Sequence, residues 1–532
     1  MWLPSKARRA QKRVSRTETV PAPVGGLNVR DSISAMPPTD AIVLRNFFPT
    51  PYGCLVRKGF TEHAIYLPGS VQTLMSYNSR TGTNVLLAAC NGKVFDVTAA
   101  GDYSGATPKY TALTNDRWQW INFSNSGGSH ILAFNGADDG LWYDGTTYSR
   151  LTAGNGSTVG TYHGVDPADV ISCCVHQRRV WVVPVGSTKA HYLPVDSVYG
   201  NVADYDFGPL MSHGGYIVSQ YTWTIDSGTG SDDLLVTLTS EGQVIVFKGT
   251  NPASAATWAL VGIYDQGKPV GNRSGIKYAG DLAYLNQFGL SSLTTSLVST
   301  KVENTPDTQY TDKIQFLVSD LISDYGSLFG WQILVYPASN MLILNVPLST
   351  TTSIQLAMNT ITKAWGQFEN LNALCWELHY EAPFFGTSSG KVYRFWEGSK
   401  DAANSAGNGG TKVSYEGQTA FNYFKSPGAL KHFKMSRATF IGNGIPGAYF
   451  AVNTDFDFST VLGSVLGSSY SSGTWNVSFW NQTLWSGSDS TFKPWGSVEG
   501  LGYAGSLRVK GEATGEALWT TTDWVYEPGG VI

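Results

Sequence analysis

One short motif recurs along the middle of this 532-residue chain: an apolar run rich in β-branched and aromatic residues, a turn with glycine, and a second such run. The clearest copy spans 234–249, with its turn at Gly242. Strand-forming runs joined through a glycine turn are typical of β-hairpins. Further clear copies span 85–97 and 384–395, and weaker copies begin near Ile131, Val180, Leu282 and Leu342.

The turn glycines recur at a nearly constant interval. Successive spacings between the first five are 48, 46, 56 and 47 residues. This interval suits a four-stranded sheet and its connections in folds that repeat such sheets around an axis. The sequence therefore predicts an all-β fold with a β-propeller of six or seven blades. The glycines, which we interpret as conformational because they relieve the steric cost of positive φ, are Gly92, Gly140, Gly186, Gly242, Gly289 and Gly390.

Changes in composition divide the chain into five predicted segments. A basic N-terminal arm at 1–20 precedes a Pro/Gly-rich extended segment at 21–64, which we expect to anchor to a platform domain. The propeller is predicted at 65–400 and a Gly/Ser/Asn-rich loop at 401–414. From 415 to 532, isolated strands separated by Gly/Ser-rich turns predict a C-terminal β-sandwich-like domain.

The chain shows one helical pattern, at 306–323. Pro306 and Asp307 supply a start signal, and the apolar residues that follow share one face at helical spacing. We expect this face to be packed core. Five tryptophans in the C-terminal domain predict either a sandwich core, which we favour, or an interface patch: Trp475, Trp480, Trp485, Trp495 and Trp519.

Charged residues make up only 14% of the chain, well below the roughly 25% of an ordinary soluble domain. A β-rich protein with so few charges is weakly protected against association, which indicates a subunit that packs against neighbours. A large β core is the alternative explanation. No apolar run reaches the roughly 20 residues of a membrane-spanning helix, and no secretion signal is evident, so we expect a soluble protein made in the cytoplasm.

Six cations fall within the first 16 residues, which contain no acid, whereas the rest of the chain has a net charge of −10. Clustered Lys and Arg gain affinity for negative surfaces by releasing counterions. We therefore predict that the arm contacts a partner, the alternative being a solvated terminus. The predicted contact residues are Lys6, Arg8, Arg9, Lys12, Arg13 and Arg16.

No catalytic, cofactor-binding or metal-binding residue is predicted, and we do not expect an enzyme. Acidic pairs at Asp138-Asp139 and Asp232-Asp233 lie beside hairpin turns, where Asp bonds the local backbone. The eight histidines show no H-x-x-x-H or H-E-x-x-H spacing, and the serine-hydrolase and phosphate-loop motifs are missing. Five cysteines without C-x-x-C spacing indicate a reducing compartment and no structural zinc.

Several segments resemble, in order, the tail nozzle proteins of short-tailed bacteriophages, also called tail tubular protein B or packaged-DNA stabilisation proteins. The distinctive part is the opening, where Val24-Gly25-Gly26-Leu27-Asn28 precedes 40–46 and then Arg57-Lys58-Gly59-Phe60. Later matching segments are 232–249, 267–271, 280–289 and 312–321, so the resemblance covers most of positions 20–440.

The resemblance implies a virion structural protein of the phage tail, made in the bacterial host. It implies a homohexameric ring below the portal and its adaptor, in contact with tail fibre or tail needle proteins. The ring would retain packaged double-stranded DNA and conduct it during ejection without sequence-specific binding, and no catalytic residues or cofactor come with it. The alternative, from the residues alone, is a carbohydrate-binding or carbohydrate-cleaving propeller, that is, a lectin or a glycosidase.

Overall fold

A computed structural model describes residues 14–80, 82–226, 231–298, 309–443, 447–458, 463–464 and 490–531. They form two compact units. The terminal unit comprises the described residues up to Arg57, Ala364–Gly366, and the described residues from Lys412 onward. The propeller unit comprises the described residues of Lys58–Lys363 and Gln367–Thr411.

The chain begins with short strands. These are β1 Arg16–Pro21, β2 Gly26–Leu27, β3 Asp40–Arg45, β4 Phe47–Thr50 and β5 Gly53–Val56. The next strands are β6 Phe60–Ile65, β7 Val71–Tyr77, β8 Val85–Cys90, β9 Lys93–Asp96, β10 Gly101–Asp102, β11 Gln119–Asn125, β12 Gly128–Phe134, β13 Gly140–Tyr143, β14 Tyr148–Ala153, β15 Thr161–His163, β16 Val170–His176, β17 Arg179–Pro184, β18 Lys189–Tyr192, β19 Gly200–Asn201 and β20 Ala203–Asp206.

The middle of the chain continues this pattern and adds two helices, α1 Leu293–Val298 and α2 Gln315–Tyr325. Its strands are β21 Ile217–Asp226, β22 Ser231–Thr239, β23 Gln243–Gly249, β24 Trp258–Asp265, β25 Gly275–Tyr278, β26 Asp281–Asn286, β27 Gly289–Ser292, β28 Gln332–Tyr336, β29 Met341–Pro347, β30 Ser353–Asn359, β31 Trp365–Phe368, β32 Ala373–His379, β33 Ala382–Thr387, β34 Val392–Phe395 and β35 Lys400–Asp401.

The predicted all-β propeller is confirmed. Successive sheets are arranged so that their innermost strands contact one another in ring order: β7, β11, β16, β21, β25, β28 and β32, with β32 returning to β7. The ring closes because β6, from the start of the unit, pairs antiparallel with β34 and becomes the outer strand of the last sheet.

The predicted number of six or seven blades is wrong, because the ring contains five full four-stranded blades. These are β11–β14, then β16 to β18 with β20, β21–β24, β28–β31, and β32 to β34 with β6. Two further sheets, β7–β9 and β25–β27, have three strands each. Among the described residues, the outer edge of each of these two sheets carries one isolated bridge, Val94 to Tyr110 and Ser291 to Gln309. Counting hairpins could not separate the two kinds of sheet, since both retain the hairpin.

Most of the recurrent glycines lie between the second and third strands of their sheets, as predicted. Gly92 follows Asn91, and both have positive φ, 67° and 50°, which closes the β8–β9 turn. Gly140 is an exception to the turn prediction, because it is the first residue of β13 and lacks positive φ. A Cβ there would lie 2.8 Å from the Phe134 ring, so close packing explains this glycine.

The hydrophobic core of the propeller unit lies between neighbouring sheets. Between the β16–β20 and β21–β24 sheets, the Trp258 ring stacks on Phe247 at 5.2 Å and on Trp181 at 5.8 Å between centroids. All three side chains are buried. Such aromatic contacts hold adjacent sheets together in a sequence with few charges.

The helix predicted at 306–323 begins later than predicted: Gln309 forms a β-bridge with Ser291, a 3-10 turn spans Asp312–Ile314, and α2 follows at Gln315–Tyr325. The start signal at Pro306 and Asp307 lies outside the described residues. The helix buries Val318, whereas Phe316 is 58% exposed. No helix among the described residues is long and apolar enough to cross a membrane.

The terminal unit joins both ends of the chain. Its later strands are β36 Thr411–Thr419, β37 Ala429–Gly442, β38 Gly447–Thr454, β39 Gly463–Ser464, β40 Ser490–Phe492, β41 Gly496–Gly502, β42 Gly505–Ala513 and β43 Leu518–Val531. Strand β43 pairs with β1, β5 and β37, and β36 pairs with β3 and β42. Trp519 is fully buried against Phe47. Trp495 is half-buried, and the guanidinium carbon of Arg437 lies 4.4 Å from its ring centroid. The other three predicted core tryptophans lie outside the described residues.

Candidate functional site

The innermost strands line an open cavity of about 390 Å³, here called the axial cavity. Strands β11, β16, β21 and β28 contribute to its wall, together with β25 and the preceding Asn272 and Arg273. A second cavity of about 350 Å³ shares three lining residues with the first, namely Gln119, Asn272 and Arg273. These adjoining cavities are where residues from most sheets of the ring converge.

The segment entering β25 directs two cations into the axial cavity. Side chains alternate along an extended chain, so Arg273, Gly275 and Lys277 share one side, and all three line the cavity. A Cβ at Gly275 would lie 2.7 Å from the Tyr221 ring, whose hydroxyl accepts a hydrogen bond from the Gly275 backbone N–H at 2.9 Å. Glycine is needed there because the ring occupies that space. Lys277 is exposed.

Arg273 is held by groups from several strands. Its guanidinium donates to the Thr73 hydroxyl at 2.7 Å, to the Trp118 carbonyl at 2.8 Å and to Gln332 Oε1 at 3.3 Å. Its Nε is buried without a hydrogen-bond partner. Burial lowers the pKa of Arg273 to about 10, which leaves the group charged at neutral pH.

The wall of the two cavities is cationic. The Phe329 ring lies between two guanidinium groups, with Arg117 4.8 Å and Arg273 5.1 Å from its centroid. With Lys277, the lining carries three cations and no Asp or Glu. The nearby carboxyl of Glu377 raises the pKa of Arg273 electrostatically but forms no ion pair with it. Burial raises the pKa of the Glu377 carboxyl itself well above its usual range.

Two buried histidines join neighbouring sheets in the same way. His176 ends β16, and its Nδ1 lies 2.7 Å from the Thr222 hydroxyl on β21. His379 ends β32, and its Nδ1 lies 2.9 Å from the Ser76 hydroxyl on β7. Both Nε2 atoms are buried without a hydrogen-bond partner, and burial lowers both pKa values to about 4. The two rings therefore stay neutral because water is excluded from their surroundings.

A third feature is the free edge of the β21–β24 sheet. Among the described residues, strand β24 is outermost and pairs with β23 alone. Leu260, Val261 and Ile263 on this strand are 43%, 47% and 37% exposed. An edge strand offers unpaired backbone groups, and natural proteins usually protect it with charge. An apolar edge is typical of a surface that contacts another chain.

The structure places the residues singled out by sequence as follows. Of the six predicted arm contacts, Lys6, Arg8, Arg9, Lys12 and Arg13 lie outside the described residues, and Arg16 is exposed at the start of β1. Although burial raises the pKa of Asp138, hydrogen bonds donated by Asn135 Nδ2 and by the Thr114 hydroxyl and backbone N–H lower it overall. Asp233 accepts a hydrogen bond from the Thr224 hydroxyl across β21 and β22. The five cysteines are free, and no cluster of metal-ligating side chains occurs among the described residues.

Sequence reasoning missed the cationic cavity. Its only local signal is the alternation Arg273-Ser274-Gly275-Ile276-Lys277, in which two cations and a glycine share one side. Nothing in that pattern indicates that the segment faces the centre of the ring. Arg117 and Phe329 are 212 positions apart in the sequence, so their contact follows from the closure of the ring.

The chain matches no protein-family model and no curated protein. Among solved structures it is similar to Raptor from Chaetomium thermophilum, at 11% identity over 65% of this chain and 29% of that one, with a TM-score of 0.39. It is also similar to YCF48 bound to D1 peptide, at 10% identity, 65% and 99% coverage and a TM-score of 0.36. For BamB from Moraxella catarrhalis the identity is 9%, the coverage 66% and 92%, and the TM-score 0.35. Likenesses this distant carry no argument about function.

Proposed function

We propose that this chain is a structural subunit of a bacteriophage virion, a tail nozzle protein that forms a closed ring below the portal and its adaptor. The ring retains packaged DNA and later conducts it, without catalysis. The observation that carries the proposal is the exposed apolar edge of β24, because a wall built from repeated subunits needs a surface that pairs between chains.

Charge distribution supports the same role. Outside the first 16 residues the chain has a net charge of −10. A neutral or anionic wall does not hold DNA phosphates, whereas a cationic wall would bind them by releasing counterions. In this proposal the basic arm, with Arg16 at its end, contacts an acidic surface of the adaptor or a neighbouring subunit.

Assembly measured by light scattering tests the proposal. The full chain is measured alone and with portal–adaptor complexes, and we expect a ring of several copies, six by the resemblance, at least when docked. Val261→Lys places a charge on the β24 edge and should reduce assembly. Val159→Lys is the matched control, since Val159 is 65% exposed away from that edge.

The opposite result would favour the carbohydrate-binding alternative. A chain that stays monomeric in both conditions and binds a glycan tightly on an array is not a nozzle subunit. Deleting residues 1–16 tests the arm separately, because unchanged attachment to the adaptor at moderate salt would remove its role while leaving ring formation intact.

A further inference from the structure

We propose that the axial cavity is a binding site for a small oxyanion, such as inorganic phosphate or a phosphate monoester, held between Lys277 and the guanidinium group of Arg273, with Arg117 adding positive charge from the adjoining cavity. This inference is independent of the proposed function, since it concerns the centre of the propeller and not the surfaces between chains.

The first argument is an uncompensated positive charge. Three cations line two adjoining cavities that share Arg273, and no carboxylate is in the lining. Among the described residues, no carboxylate forms an ion pair with any of the three. Clustered cations repel one another, and a bound anion relieves that repulsion while gaining charge-assisted hydrogen bonds.

The second argument is preorganisation. Arg273 is fixed by hydrogen bonds to Thr73, Trp118 and Gln332, and by the Trp120 ring 5.3 Å from its guanidinium carbon. A guanidinium positioned before the ligand arrives loses little freedom on binding.

The third argument is the chemistry of the remaining lining. Beside the cations, the wall carries polar side chains that can donate to oxygen, including Gln119 and Ser172. A volume of about 390 Å³ accommodates phosphate with water, or a larger molecule that carries a phosphate group.

Isothermal titration calorimetry of the full chain with sodium phosphate, at pH 7 and constant ionic strength in chloride, tests the site. Lys277→Gln should weaken phosphate binding about tenfold, the loss of one charge-assisted hydrogen bond. Lys248→Gln is the matched control, because Lys248 is an exposed lysine of the same unit outside the cavity. The phosphate affinity of this variant should stay within about twofold of wild type.

A second variant keeps the proposal testable if Lys277→Gln does not fold. Asn272→Asp is isosteric, lies at an exposed position of the lining, and adds a negative charge beside Arg273, so it should also weaken phosphate binding. A parallel titration with adenosine monophosphate shows whether the oxyanion is free phosphate or part of a larger ligand. Absence of binding by wild type, or equal binding by wild type, Lys277→Gln and Asn272→Asp, would overturn the proposal.

Discussion

Acidification should destabilise the propeller unit through two histidines that bridge adjacent sheets, His176 and His379. Each is buried, each bonds a hydroxyl on the neighbouring inner strand, and each has a pKa lowered from 6.5 to about 4 by burial. For His176 the nearby charges are Asp233, which raises the pKa, and Lys277, which lowers it. For His379 they are His63, which lowers it, and Asp96, which raises it.

The sign follows from proton binding. As pH falls below about 6.5 the unfolded chain binds protons at these histidines while the folded chain does not, so the unfolded state gains stability. The loss continues until pH is about 4, where the folded state also binds them. A shift of about 2.5 pKa units corresponds to about 3 kcal/mol for each histidine. That is a large part of the 5–15 kcal/mol typical of a folded domain.

Urea unfolding of the full chain between pH 7 and pH 4 measures this effect. His176→Gln keeps a hydrogen-bonding group but does not titrate, so its free energy of unfolding should fall by about 3 kcal/mol less than that of wild type over this range. His163→Gln, at an exposed position, is the control and should follow wild type. If His176→Gln and His379→Gln both show the same pH dependence as wild type, the reasoning from buried neutral rings is refuted.

Three further predictions concern stability and can be checked by thermal or chemical unfolding. Gly92→Ala should lower the free energy of unfolding more than Gly186→Ala does. Both glycines have positive φ, which costs an alanine about 1 kcal/mol. Only at Gly92 would the new Cβ also lie close to a backbone oxygen, at 2.7 Å. Equal costs would contradict the packing argument. Trp258→Ala should destabilise by about 3–5 kcal/mol through the cavity between stacked rings, and a loss below 1 kcal/mol would contradict its core role. Lys431→Met should lower the free energy of unfolding by about 3 kcal/mol, because the Lys431 ammonium donates to three backbone carbonyls at 2.7, 2.9 and 2.7 Å. If the variant is as stable as wild type, water replaces the ammonium and the prediction is wrong.

The propeller could be predicted from sequence because its signal is local and repeated. A strand, a turn such as Asn91-Gly92 and a second strand lie within 13 residues, and the positive φ of the glycine is a property of the turn alone. The number of full blades could not be predicted. In the β7–β9 sheet the fourth position is a single bridge at Tyr110, and no local pattern distinguishes that bridge from an edge strand.

Contacts that depend on ring closure were also beyond the sequence. Arg273 bonds Thr73, 200 positions earlier, and Ser76 bonds His379, 303 positions later. The Ser76–His379 contact exists because the first and last sheets of the ring are neighbours, and the Arg273–Thr73 bond joins the segment before β25 to β7, which are not neighbours in the ring order. No local sequence pattern distinguishes a cation or histidine that makes such a contact from any other residue of an inner strand. The terminal unit shows the same limit, because β43 pairs with β1 across more than 500 positions.

The most direct test of the proposed function is immunoelectron microscopy of intact phage particles whose genome encodes this chain, with antibody raised against the chain. The account predicts label at the distal end of a short tail, on a closed ring of several copies. Absence of label from the particles, or label confined to the capsid, would contradict it.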